Sequence, residues 1–219
     1  MHFTIITPSF NQLEYLRRCV ASVRDQVSDG VKPEEGSADS CELMANSSIS
    51  LHHHVQDAGS TDGTVAFLQE QEANSSDRSA VSYTFSYESA PDNGMYDAVS
   101  KGWRRAVAED PRVDGRSMML DKDPLATNSH QPSTAFSGNN PRDSVIAWLN
   151  CDEQYLPGTL QAVADFFTNH PDVDVLCGNA LVVDESGVLM GFWKSMPLRR
   201  RYVQSGYLYN LSCAMFFRA

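Results

Sequence analysis

Short apolar runs rich in β-branched residues alternate along this chain with segments of helical period. Residues 3–7, 49–56, 82–88, 144–149 and 173–177 have the composition of buried strands. Between these runs, apolar residues at helical spacing predict helices over about 13–23, 65–71, from about 93, and over 156–167. Strands that alternate with helices indicate a three-layer α/β/α domain around a mostly parallel, Rossmann-like sheet.

Two stretches interrupt this pattern, at about 28–48 and about 109–142. Both are rich in Ser, Asp, Gly and Asn and have no sustained period, so we expect insertions there. The length of 219 residues suits a single domain over 1–219. The final Phe216-Phe217-Arg218-Ala219 resembles a strand in the middle of a domain, so we expect a C-terminally truncated chain.

Composition excludes several classes of protein. The net charge of -11 argues against nucleic acid as the partner, because a phosphate backbone requires a basic surface. No apolar run reaches the ~20 residues of a transmembrane helix. The 5 cysteines form no Cys-x-x-Cys pair, which argues against a zinc site or a disulfide framework. We therefore expect a cytoplasmic protein, either free or bound peripherally to the inner face of the membrane.

Polar clusters follow three of the predicted strands directly, over residues 7–11, 57–62 and 150–153. Ligands of parallel sheets bind outside the carboxyl ends of the strands, so these clusters predict one binding site. Asn11 is a candidate N-cap for the first helix, and Ser60 or Thr61 for the second. Pro8 is expected to end the first strand, because it has no N–H for the ladder.

Some polar groups favour a structural role. His52, His53 and His54 alternate between the faces of a strand, so they are not expected to bind one metal ion. Residues 199–201, three arginines, form either an anion-binding patch or a solvated basic turn. Trp193 and Tyr207 either stack on a sugar or pack at the rim of the core.

Four motifs in order carry a family resemblance. They are Thr7-Pro8-Ser9-Phe10-Asn11-Gln12, Asp57-Ala58-Gly59-Ser60-Thr61-Asp62-Gly63-Thr64, the segment 92–102 from Asp-Asn-Gly-Met-Tyr-Asp to Lys-Gly, and the segment 148–158 from Trp-Leu-Asn-Cys-Asp-Glu to Pro-Gly. The chain resembles the family 2 glycosyltransferases, which have the GT-A fold, and among them the bacterial transferases of O-antigen and other surface polysaccharides. The resemblance covers the chain apart from the two insertions.

The resemblance implies a set of donor-binding residues. The nucleotide-sugar site would comprise Thr7, Pro8, Ser9, Asn11, Asp57, Asp92, Asn93, Lys101, Asn150, Cys151 and Asp152. Asp152 would bind Mn²⁺ or Mg²⁺, which prefer oxygen ligands. Asn150 stands where many relatives have the first aspartate of an Asp-x-Asp motif. Asp57 would contact the base or, alternatively, begin an Asx turn, and Asp97 with Lys101 would form either part of the site or an ordinary ion pair.

The implied function is metal-dependent, inverting transfer of a sugar from a UDP-, GDP- or dTDP-linked donor to a saccharide or lipid-linked acceptor, as in polysaccharide biosynthesis. The general base is not identifiable, and Ser212-Cys213 replaces a His-Gln pair that is common in relatives. A non-catalytic nucleotide-sugar or glycan-binding module is the first alternative. A sugar-phosphate nucleotidyltransferase ranks lower, because it normally has a Gly-rich loop with a basic residue after the first strand.

Overall fold

The computed structural model describes residues 1–27, 49–76, 82–109, 143–206 and 208–219. Its elements are β1 (His2–Ser9), α1 (Leu13–Arg24), β2 (Ser50–Asp57), α2 (Thr64–Ser76), β3 (Tyr83–Ser89), α3 (Met95–Glu109), β4 (Ser144–Trp148), α4 (Thr159–Asn169), β5 (Val175–Cys177), β6 (Ala180–Val183), β7 (Leu189–Trp193), α5 (Arg200–Gln204) and β8 (Met215–Arg218). Helix α3 continues to Glu109, where the second insertion was predicted to begin. The insertions at 28–48 and 110–142, and Tyr207, lie outside the described residues.

Six strands form one sheet in the order β3-β2-β1-β4-β8-β5. Strands β1 to β4 pair in parallel, whereas β8 is antiparallel to both of its neighbours. The apolar segment near the end of the sequence is therefore an inner strand, and the predicted mostly parallel sheet is confirmed. Strands β6 and β7 form a separate antiparallel hairpin around the turn at 184–187. No helix in the described ranges has the length and apolarity to cross a membrane.

Helices cover both faces of the sheet, as predicted. Helices α1, α2 and α4 pack on one face, against Phe3 and Ile5 of β1 and their neighbours on the same face. Helix α3 packs on the other, where Trp103 joins a cluster with Ile6 and Ile146. All eight residues of β1 are buried, because a central parallel strand is covered on both sides.

The three consecutive histidines of β2 alternate between these faces. His53 shares a hydrogen bond of 2.9 Å with the hydroxyl of Thr7. His52 and His54 lie on the opposite face, each 2.8 Å from the hydroxyl of Ser86. Burial lowers the pKa of His53 to about 3, so this ring is neutral. The described ranges contain no group of three His, Cys, Asp or Glu residues arranged to hold a metal ion.

Pro8 does not end β1, contrary to expectation, and the strand continues through it to Ser9. Pairing with β4 stops at Ile6, whose carbonyl accepts the N–H of Leu149. Pro8 lies two residues after Ile6, so its backbone nitrogen faces the same side of the strand, toward β4. The pairing with β4 has already ended there, so the missing N–H of Pro8 breaks no hydrogen bond of the sheet. Beyond this point β2 is the only described strand that pairs with β1, and a crevice opens between β1 and β4 at the switch in strand order.

Candidate active site

A cleft of about 640 Å³ lies at the carboxyl edge of the sheet, beside this crevice. Pocket volumes of this order are typical of sites for small ligands and cofactors. Its lining comprises Pro8, Ser9, Phe10, Gln12, Ala58, Pro91, Asp92, Gly94, Met95, Ala98, Asn150, Cys151 and Asp152. The loops after β1, β2 and β4 thus converge, as the three polar clusters in the sequence predict, and the loop after β3 joins them. Their contact with a nucleotide sugar stays a prediction.

A tight turn after β4 presents Asp152. The carboxylate of Glu153 accepts the backbone N–H of Asn150 at 2.8 Å, and the carbonyl of Asn150 accepts the N–H of Glu153 at 2.9 Å. These reciprocal bonds close the turn, so the side chain of Asp152 lies exposed near its apex. Burial raises the pKa of Glu153, and the Cys213 thiol hydrogen-bonds the same carboxyl. Glu153 therefore shapes the turn, while Asp152 remains accessible.

Cys151 connects the two sides of the crevice. Its thiol donates a hydrogen bond to the side-chain carbonyl of Gln12, at the start of α1. Burial and, to a smaller extent, the neighbouring Asp152 raise the pKa of the thiol to about 11. Cys151 is therefore protonated at neutral pH and acts as a donor between two loops, instead of as a metal ligand or a nucleophile.

The loops after β1 and β2 hold each other in place. The N–H of Asn11 donates to the Ser60 hydroxyl, and the N–H of Thr61 donates to the side-chain carbonyl of Asn11, both at 2.8 Å. One oxygen of the Asp62 carboxylate accepts the N–H of Leu13 at 3.0 Å. The segment 57–64 therefore supports the loop that forms the cleft wall.

The capping predictions for α1 and α2 were wrong. The N-cap position of α1 is Gln12, without a side-chain bond, because Asn11 has a left-handed φ of 51° and bonds to Thr61 instead. In α2 the Asp62 carboxylate accepts both the N–H and the hydroxyl of Thr64, the first residue of the helix. Ser60 is already used by the neighbouring loop.

Five of the predicted contact residues do not line the cleft, and two of them lie in the interior of the protein. Thr7 and Asp57 are fully buried. The Asp57 carboxylate accepts hydrogen bonds from the N–H groups of Gly59 and Ser60 and from the hydroxyls of Ser60 and Ser89. This is the Asx-turn alternative, and the adjacent Ala58 lines the cleft in its place. Asp57 acts on the cleft through the loop that it holds.

The segment before α3 contributes Asp92 to the cleft but not Asn93, and Lys101, within α3, does not line the cleft either. The carboxylate of Asp92 accepts the N–H of Gly94 at 2.8 Å, which turns the chain into the helix. Lys101 pairs with Asp97 at 3.0 Å, one helical turn away, so the alternative of an ordinary ion pair holds. Asn93 donates its N–H to Asp97 at 3.0 Å, and this bond and Lys101 lower the pKa of Asp97. Asn11, likewise, lies outside the lining.

Two buried oxygens of the lining have no hydrogen-bond partner in the described part of the chain. They are the hydroxyl of Ser9, a residue only 5% exposed, and the side-chain carbonyl of Asn150. Buried polar atoms are nearly always hydrogen-bonded in proteins, so both indicate contact with a ligand or with water. Asp152 and Asn150 together offer one carboxylate and one amide oxygen, which fits Mg²⁺ or Mn²⁺ bound mainly through a substrate diphosphate.

Several residues of the lining were not predicted as contacts. They include Phe10 and Met95, which are 57% and 43% exposed and form apolar rims, and the polar Gln12. Phe10 follows the strand end immediately, and an apolar residue in a polar cluster was a usable signal. Trp193 stacks on Tyr209 with ring centroids 4.7 Å apart, which agrees with the packing alternative.

No family model matches the sequence, and no curated protein matches it. The structure of residues 1–349 of S. aureus TarS in complex with UDP-GlcNAc is similar to this chain, with a TM-score of 0.51 and 13% sequence identity. All of this chain is covered, but only 45% of that one. The same TarS residues without the ligand match with a TM-score of 0.48 and 14% identity over 100% of this chain and 47% of that one. A longer TarS structure matches with a TM-score of 0.44 and 14% sequence identity, over 85% of this chain and 24% of that one.

The chain thus spans less than half of the solved structures that it matches. At 13% identity the likeness concerns the fold alone. The mostly parallel six-stranded sheet, the helices on both of its faces and the likeness to the TarS complex agree with the expected architecture. The chain has the GT-A fold.

Proposed function

We propose that this chain is the donor-binding part of a glycosyltransferase that uses a nucleotide-diphosphate sugar and a divalent cation. The observation that carries the proposal is the exposed Asp152 in a cleft at the switch point between β1 and β4. Two carboxylates, Asp92 and Asp152, and no basic side chain occur among the described residues of the lining. A diphosphate would be repelled by such a surface unless a cation lay between them.

The chain's own residues have separable roles in this proposal. Asp152 and Asn150 would hold Mn²⁺ or Mg²⁺, which as a Lewis acid stabilises the leaving diphosphate. The unpaired Ser9 hydroxyl and the first N–H groups of α3, near Gly94 and Met95, supply further donors at the same edge. Phe10 provides an apolar surface on which a base can stack.

We propose the donor and the acceptor as chemical classes and not as single compounds. The TarS complex contains UDP-GlcNAc, which makes a UDP-linked sugar the first donor to test. GDP- and dTDP-linked sugars are the next donors to test. The resemblance to family 2 supports inversion at the anomeric carbon and a saccharide or lipid-linked acceptor in polysaccharide biosynthesis. The hexosyl class rests on the same resemblance.

Thermal unfolding with a panel of nucleotide sugars tests the proposal. At a ligand concentration of about 100 Kd, binding stabilises a domain by about 2.7 kcal/mol, which corresponds to a rise in Tm of roughly 5–10 °C. We expect that rise with one nucleotide class in the presence of Mn²⁺ and a much smaller one with EDTA. Asp152→Ala should remove the metal-dependent part. The matched control is Asp172→Ala, an exposed aspartate in a turn after α4. No shift with any nucleotide would contradict the proposal.

A non-catalytic binding module is the second candidate, and one observation favours it. Glu153, which neighbours the cleft residue Asp152, is already bonded to Asn150 and Cys213, and Asp92 of the lining is bonded to Gly94, so neither carboxylate is freely placed to act as a base. The two candidates differ in turnover. Release of nucleotide diphosphate from the bound donor, measured with and without saccharide acceptors, identifies a transferase, whereas binding alone identifies the module.

A further inference from the structure

The basic residues of this chain are concentrated near its end. After Glu185 there is no acidic residue, whereas five basic ones follow, Lys194, Arg199, Arg200, Arg201 and Arg218. The net charge of the whole chain is -11. All of these except Arg218 are well exposed, and none of those four forms an ion pair with a described residue. This region has the opposite charge to the remainder of the chain.

The same region exposes large apolar side chains. On β7, Leu189, Met190 and Phe192 are 60%, 68% and 60% exposed. After the hairpin, Val203 and Leu208 are more than half exposed and border a groove of about 270 Å³ beside Arg199. Exposed apolar side chains next to unpaired arginines are typical of surfaces that bind partners. We name β6, β7 and residues 194–206 and 208–209 the basic–apolar surface.

The basic–apolar surface lies at the edge of the sheet that carries the cleft. Strand β5 runs in the same direction as β4, because both are antiparallel to β8, and the hairpin begins just after its carboxyl end. The hydroxyl of Ser195 donates to the carbonyl of Cys177, which attaches the surface to that end. The chain then returns through Cys213 to Glu153, beside Asp152.

We propose that the basic–apolar surface docks on a bilayer that contains anionic phospholipids. Lys194 and the three arginines would bind lipid phosphates, while the apolar side chains of β7 enter the boundary between head groups and acyl chains. Neither contribution is strong alone, and stable peripheral binding commonly combines two such signals. The cleft would then face lipid-linked substrates from one side. That last consequence rests on the proposed function, whereas membrane binding itself does not.

Co-sedimentation with vesicles tests the docking independently of any donor. Equal parts of phosphatidylglycerol and phosphatidylcholine form the anionic vesicles, and phosphatidylcholine alone forms the neutral ones. A basic residue near an anionic surface contributes about 1 kcal/mol, so neutralising three lowers the partition coefficient about 100-fold. We expect this loss for Arg199→Gln, Arg200→Gln and Arg201→Gln combined. The matched control is Arg17→Gln, Arg18→Gln and Arg104→Gln combined, at exposed arginines of α1 and α3, which should bind like the unaltered chain.

The apolar contribution is tested with Met190→Ser and Phe192→Ser combined. Binding should fall even at low salt, and circular dichroism should show an unchanged fold, because both side chains are exposed. Equal binding to neutral vesicles, or equal loss in both arginine variants, would overturn the proposal. So would a concentration-dependent dimer that both surface variants abolish, because the partner would then be a second copy. The proposed function fails separately, by the absence of nucleotide binding.

Discussion

Strands β1 and β7 are both rich in apolar residues, but they have opposite environments. All eight residues of β1 are buried, whereas three of the five residues of β7 are exposed. Strand β1 lies between two parallel neighbours under helices on both faces, whereas among the described strands β7 pairs only with β6. An isolated two-stranded hairpin is marginally stable in water, so β7 depends on attachments at its ends, such as the stacking of Trp193 on Tyr209.

The contrast separates two kinds of apolar sequence. In the parallel half, by which we mean strands β1 to β4 with the helices that cover them, apolar side chains stabilise the fold and position the loops of the cleft. In the hairpin, apolar side chains add little to folding and remain available for contact with something else. Substitutions in the two halves should therefore have different consequences, and matched pairs of variants measure the difference.

The largest effect is expected from truncation of a core aromatic. Phe3→Ala removes a fully buried ring from β1 and should cost about 3–5 kcal/mol of unfolding free energy. Phe192→Ala, on β7, removes a ring that is 60% exposed and should change stability by less than about 0.5 kcal/mol. Chemical denaturation of both variants measures the pair. A comparable cost at Phe192 would show that the hairpin is covered in the folded protein.

A smaller effect is expected from adding a methyl group to a glycine. A Cβ at Gly102 would lie 2.7 Å from Cγ2 of Ile6 and 3.3 Å from the ring of His54, because α3 lies close against the sheet. Gly102→Ala should cost about 1–3 kcal/mol through overpacking. At Gly191 in β7 a Cβ meets nothing within 4 Å, so Gly191→Ala should be neutral or stabilising by up to about 1 kcal/mol. Equal costs would contradict the close approach of α3.

The same contrast explains how much the sequence predicts. The parallel half is strongly periodic, so its strands, the helix faces of α1 and α4, and the convergence of three polar clusters follow from local patterns. Strand order and the antiparallel insertion of β8 between β4 and β5 depend on long-range pairing. No local pattern in residues 215–218 contains that information.

Side-chain roles in the loops were harder to predict than their positions. Asp57 and Asn11 lie at strand ends as expected, yet Asp57 bonds mainly within its own turn, and the side chain of Asn11 bonds to Thr61 in the neighbouring loop. A polar residue after a strand serves either a ligand or a turn, and only the partners decide which. The prediction that Pro8 ends β1 was wrong for a similar reason. Strand β1 can continue through Pro8 because its pairing with β4 ends at Ile6, and this depends on the sheet and not on the local sequence.

The left-handed backbone of Asn11 provides a third prediction. Its φ of 51° is costly for most side chains, and its amide bonds to Thr61. Asn11→Ala loses the hydrogen bond and retains the strain, so it should cost about 1–2 kcal/mol. Asn11→Gly loses the bond but relieves the strain and should cost less. Thermal unfolding of both variants gives the order, and a greater loss for Gly would contradict the backbone assignment.

The smallest expected effect is a pH dependence, and it compares the two halves once more. Asp62 and Asp184 both have a pKa below the usual 3.8, chiefly through hydrogen bonds from Thr64 and Ser186. A lowered pKa in the folded state stabilises the protein above pH 3.8, and this contribution is lost as the pH falls through the folded pKa. Both carboxylates are exposed, so each contribution is small.

Replacement of either aspartate by asparagine should therefore flatten the decline of stability below about pH 4, measured by denaturation at a series of pH values. The two variants should differ in nucleotide binding. Asp62 also accepts the N–H of Leu13 and so holds the loop of the cleft, whereas the bonds of Asp184 stay within its own hairpin turn. Asp62→Asn should weaken the thermal shift caused by the donor, and Asp184→Asn should leave it unchanged. An equal loss in both would show that the hairpin contributes to donor binding, and the division between the two halves would then be wrong.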